Sequence, residues 1–181
     1  MDQTFLNGLL SNVNSAEEPT FTWGFPGVSS ASCTERFAGK AALDPAMVER
    51  ALTLLCGELC GLVLDRDLYR RELPLERDEA CSLRLEGESP EDAPEYRSFT
   101  ARFIARSPLR DRALRTVSQL LNKLPPVWVS VGSKRLTAPV VFASVAGGKS
   151  SIEKKIGNGR ELFYAEAELR IRVCTALPRG V

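Results

Sequence analysis

The sequence predicts an α+β domain: a mostly antiparallel sheet packed by two helices on one face, with an extended N-terminal arm. Three stretches carry that expectation. In residues 96–106, Phe99, Ala101, Phe103 and Ala105 alternate with Ser98, Thr100, Arg102 and Ile104, the period of two that a strand with one buried face requires. Ser107-Pro108 then supplies a capping hydroxyl and a first-turn proline. The helix that follows sets Leu109, Ala113, Leu114, Val117, Leu120, Leu121 and Leu124 on one face, and Pro125-Pro126 stops it. Near the C-terminus, Phe163, Ala165, Ala167, Leu169, Ile171 and Val173 alternate with Tyr164, Glu166, Glu168, Arg170, Arg172 and Cys174. Alternation this long predicts a strand with one wet face, and hence an antiparallel sheet covered on one side only.

The remaining elements follow in order. Residues 1–43 read as an arm, rich in Pro, Gly, Ser and Thr yet holding Phe21, Trp23, Phe25 and Phe37. A purely flexible tail rarely carries so many aromatics; the arm either folds back over the domain or orders on a partner. Residues 44–181 form a single domain. It opens with Asp44-Pro45, a cap and first-turn proline, and a helix over residues 44–64 with an apolar stripe of Met47, Ala51, Leu54, Leu55, Leu59 and Leu62. Glu49, Arg50 and Glu58 fall on its wetter side. The charge-dense run 65–77 predicts a turn and an edge strand near residues 71–75, Pro74 arguing against a central position. Residues 79–87 read as a strand with Cys81, Leu83 and Leu85 on one face, and the acidic stretch 87–95 as an exposed loop. Two further strands, 127–131 and 138–145, are joined around Gly132, Ser133, Lys134 and Arg135. Residues 147–160 read as a Gly-rich basic loop carrying Lys149, Lys154, Lys155 and Arg160.

Composition narrows the function. The 181 residues contain 24 basic and 23 acidic side chains and no histidine. The commonest general base, metal ligand and activator of a nucleophilic Ser or Cys is thus missing, and neither a catalytic residue nor a metal or cofactor is expected. The five cysteines (Cys33, Cys56, Cys60, Cys81, Cys174) have no metal-site spacing. Cys56 and Cys60 share a helix face and read as core. Their odd number and the lack of a signal peptide suggest a reducing compartment, and no apolar run is long enough for a membrane. Charge is uneven along the chain: residues 1–96 hold 8 basic and 18 acidic side chains, and residues 97–135 hold 9 and 1. Either solvated faces happen to segregate, or the subunit has an acidic and a basic side suited to head-to-tail contact.

Residues 143–150, ASVAGGKS, nearly spell a phosphate-binding P-loop. A true P-loop must open a substantial helix and be followed by further parallel strands. Here about two turns precede Gly157-Asn158-Gly159, and one strand remains. A nucleotide-binding protein using residues 143–150 is therefore kept only as an alternative, beside a plain intracellular adaptor domain.

The order helix, two strands, central strand, proline-ended helix, three strands, carried by MVERALTLL, SLRLEG, YRSFTARFIARSPLRDRALRTVSQLLNKLP and FYAEAELRIRV, resembles the tail-terminator and related neck (minor capsid) proteins of long-tailed bacteriophages. The likeness is one of pattern over residues 44–176, since the family has no short diagnostic motif. It implies a structural virion protein of the tail or neck, assembled in the host cytoplasm, forming a homo-hexameric ring that caps the tail tube. Its partners would be further copies of itself, the tail tube protein and the head-completion connector, with DNA only as passing cargo and no membrane. The side chains proposed for partner contacts are Phe21, Trp23 and Phe25 of the arm, Lys134 and Arg135 of the turn, and Lys149, Lys154, Lys155 and Arg160 of the basic segment.

Overall fold

A computed structural model describes residues 18–23, 43–90, 96–124, 128–157 and 159–174. Phe25, Cys33, Phe37 and residues 91–95 of the acidic stretch 87–95 lie outside them. The described chain is α+β, with a seven-stranded mixed sheet and two helices. In chain order the elements are β1 (Thr20–Trp23), α1 (Pro45–Cys60), β2 (Leu68–Arg70), β3 (Ala80–Ser89), β4 (Tyr96–Ser107), α2 (Arg110–Lys123), β5 (Val129–Gly132), β6 (Val140–Gly157) and β7 (Arg160–Cys174). Across the sheet the order is β1-β5-β6-β7-β4-β3-β2, antiparallel except for β2 beside β3. The arm therefore contributes an edge strand: Phe21 opposes Val131 and Trp23 opposes Val129.

The central pair is as the alternation predicts. Phe99, Ala101, Phe103 and Ala105 of β4 are at most 2% exposed, and they pair with Ile171, Leu169, Ala167 and Ala165 of β7, which are equally buried. This inner face receives both helices. Asp44 caps α1, its carboxylate accepting from the Ala46 N–H at 2.9 Å. The helix ends earlier than its apolar pattern suggests, at Gly61, whose φ of +67° forms a left-handed cap with Gly61 N–H on the Glu58 carbonyl and Leu62 N–H on that of Gly57. Two side chains of α2, Lys123 and Gln119, donate to the Leu59 and Cys60 carbonyls and hold this end against the second helix. Of the side chains expected on the wetter side of α1, Glu58 is exposed and Arg50 half-buried, but Glu49 is buried. Its carboxylate meets Arg71 at 3.2 Å, while Thr53 returns its hydroxyl to the Glu49 carbonyl.

The start of α2 differs by two residues from expectation. Ser107 still pairs with Phe163, so it stays in β4 and its Oγ accepts from the Leu109 N–H. Leu109 becomes the N-cap without a side-chain cap. Ala113, Val117 and Leu120 face the sheet, whereas Leu109 is 60% exposed.

The expectation of a sheet covered on one side only is corrected at both ends of the outer face, first at the corner near β2. The edge strand lies at residues 68–70 rather than 71–75, parallel to β3, so residues 71–79 must cross over to reach the start of β3. Arg71 begins that crossover in the left-handed region (φ +70°), held by Glu49. Arg106, which points away from the inner face, donates to the carbonyls of Pro74 and Arg77, and Asp78 pairs with Arg160 at 2.8 Å. Beneath the crossover Ser82, Arg106 and Leu162 are all buried on the outer face. At the far end of that face Tyr96 and its partner Cys174 are buried too, and between the two ends runs the expected solvated ladder, with Arg102 on Glu86 (2.8 Å) and Glu166 (3.5 Å), and Arg170 on Glu168 (3.3 Å).

Cys56, Cys60 and Cys81 are free thiols and, like Cys174, are buried. Burial pushes the Cys81 thiol up to about 12 and that of Cys60 up to about 11, and raises Cys56 as well. A raised folded-state value disfavours the thiolate in the native protein. Its contribution to stability is thus full below the unfolded thiol value of about 8.5 and is lost as pH rises from there through about 11 and 12. Urea titrations should give a lower midpoint at pH 9.5 than at pH 8. Iodoacetamide at pH 8 should label none of these three until the chain unfolds. Native labelling of any of them would contradict the packing described.

Candidate assembly interface

The segment expected to be a Gly-rich loop is strand. β6 runs unbroken from Val140 to Gly157 and pairs with β7 down to Gly157 opposite Arg160, a tight hairpin with Gly159 at φ +72°. The overlooked signal is Asn158-Gly159 between two strand-like runs, the commonest sequence for such a turn. Two bulges, between Phe142 and Ser144 and between Gly147 and Ser150, absorb the irregular stretch. Gly147 lies beside Leu121 of α2, whose side-chain tip a Cβ at that position would have to displace. Residues 143–150 form extended backbone, exposed from Ala146 to Ser150, and the loop that opens a helix, which the nucleotide-binding alternative requires, is not formed.

The structure divides the nine proposed contact residues instead of gathering them. Phe21 and Trp23 stack at 6.1 Å on β1, and Trp23 is half exposed. Lys134 and Arg135 follow β5 in the exposed turn at the same end of β6. Lys154, Lys155 and Arg160 lie at the other end, roughly 50 Å away along an extended strand, with Lys149 between the groups. Phe25 lies outside the described residues. The hairpin cations are also paired: Lys154 with Glu161 (2.7 Å), Lys155 with Glu153 (2.8 Å) and Arg160 with Asp78 (2.8 Å). The Glu153 hydrogen bond raises the Lys155 ammonium value.

Among the described residues the acidic and basic runs of the sequence are not kept on separate sides. Folding interleaves the acidic N-terminal half with the basic middle, through Glu79–Arg112 (2.8 Å), Glu88–Arg97 (2.5 Å) and Glu86–Arg102 (2.8 Å). Among the described residues no group of three His, Cys, Asp or Glu side chains could hold a metal, and no helix is long and apolar enough to cross a membrane.

What the fold does expose is backbone. β5 covers β6 only at Val140, Val141 and Phe142, apart from one bond from the Trp128 N–H to the Ala143 carbonyl. From residue 144 to 157, β6 has β7 on one side and no strand on the other among the described residues. On the opposite flank β2 reaches Leu83, leaving residues 84–89 of β3 likewise open. Sequence reasoning missed both edges, because strand pairing across the sheet depends on topology. No known protein family matches the chain, and no curated protein matches its sequence.

Proposed function

We propose that this chain is a structural, ring-forming subunit of the tail-terminator or neck class of long-tailed bacteriophages. In that role it would cap the tail tube and join it to the head-tail connector. The observation that carries the reading is the order of elements around one sheet: α1, two strands, the central β4, α2 and three strands. The two long unpaired edges add support, since such edges are templates for pairing with another chain. In this role the polypeptide acts by assembly, and its expected partners are further copies, the tail tube protein and the connector.

Native mass measurement with negative-stain imaging, at low and high protein concentration, tests the reading. Closed six-fold rings are the expected result, at high concentration or on addition of tail tubes. Protein that forms no ring under either condition would sink it.

A further inference from the structure

We infer that copies of this chain join edge to edge into one continuous sheet, β3 of one copy adding to β6 of the next. The inference rests on the self-assembling reading above and names its contact surface. The two open edges lie on opposite flanks of the sheet, and three antiparallel pairings separate β6 from β3, so the two strands run in opposite directions. Neighbours in the same orientation therefore meet antiparallel, with all helices on one side.

Side chains fix the register. The β3 edge carries Arg84, Glu86 and Glu88, and the β6 edge carries Lys149, Glu153, Lys154 and Lys155, so the two have opposite net sign. With Glu88 set opposite Lys154, Leu85 comes opposite Ile156, and Glu86, the extra residue of the β3 bulge, lies beside Lys155. Glu88 and Leu85 point to the inner face because they pair with Phe99 and Ala101. Lys154 does so because it pairs with Phe163, and Ile156 lies two residues on. Ile156 is 83% exposed in the single copy, and this contact covers it. Glu88 would exchange its bidentate pair with Arg97 for Lys154, leaving Arg97 on the Leu43 carbonyl, and Lys154 would exchange the exposed Glu161.

The same register satisfies the outline of the subunit. Within one copy Leu85 is level with Gly147, through Ala101 and Leu169. Pairing it with Ile156 offsets neighbours by roughly 30 Å along the strands. β2, which flanks residues 81–83, then lies beyond the Gly157 tip, and β5 stays clear at residues 140–142. Two β6 edges paired about Glu153, Lys154 or Lys155 would set like charges opposite each other.

The test is Glu88→Cys with Lys154→Cys in one chain, in a Cys33→Ser background, the other cysteines being buried. Oxidation should give a ladder of covalent multimers, while either single variant stays monomeric on a denaturing gel. Mixing the two single variants should give only the mixed dimer. Ile156→Asp, at an exposed position, should raise the concentration of half-assembly about tenfold. Assemblies that form without a ladder would overturn the edge contact and leave the ring reading standing. A ladder from open helices would support the contact and remove the ring. A dimer from Lys154→Cys alone, or no ladder and no assembly at any concentration, would overturn the contact.

Discussion

Phe103→Ala should cost about 3–5 kcal/mol of folding free energy, the range for emptying a fully buried aromatic site. Phe103 is 0% exposed on β4, beside Ala167 of β7 on one flank and Leu83 of β3 on the other. Its small neighbour cannot close over the cavity, and Leu83 is itself fixed in the ladder. In a chain of this size such a loss lowers the melting temperature by on the order of 10 °C. Urea denaturation with matched slopes is the measurement. A loss below about 1 kcal/mol would mean that the centre of the sheet is not the densely packed layer described.

Arg106→Leu should cost about 2–4 kcal/mol, through a different mechanism. Leucine keeps part of the buried bulk and removes the donors that hold the Pro74 and Arg77 carbonyls. Arg106 is buried, and its guanidinium lies 6.0 Å from the Tyr164 ring. Without it the crossover 71–79 has Arg77 on the Arg66 carbonyl and the ion pairs at Asp78, Glu79 and Arg71 to keep it down. Trypsin should then cut after Arg71 and Arg77 well before the rest of the chain. An unchanged digestion pattern with unchanged stability would show that the crossover is held by something other than this side chain.

These two positions also mark what the sequence discloses. Phe103 was legible because its strand has one buried face, and period two is a local property of the chain. The caps and length of α1 were legible at the start, from Asp44-Pro45, and less so at the end, where a left-handed Gly61 stops an apolar pattern that continues into the following loop. Arg106 and Glu49 were not legible. Both are charged side chains buried by segments distant in sequence, the crossover in one case and Arg71 in the other. The candidate interface divides the same way. The basic residues of β6 were found as a composition and assigned to a loop, because Gly147-Gly148-Lys149 suggested phosphate binding more strongly than Asn158-Gly159 suggested a turn. The open edges follow from the shortness of β2 and β5 relative to their neighbours, which emerges only when strands are laid side by side.

The place of β7 has a consequence for synthesis. It is the last described strand in the chain, yet it stands in the middle of the sheet, with β6 on one side and β4 on the other. As the polypeptide emerges from the ribosome, β2, β3 and β4 can associate early, but β4 then presents its second edge to solvent. Its twelve register pairings with β4 can form only once residues 160–174 arrive, about half a chain later than β3, and late non-local pairing of this kind is slow. Folding should accordingly complete only after β7 has been released, and nascent chains halted before residue 160 should expose a sticky half-sheet that chaperones would need to shield.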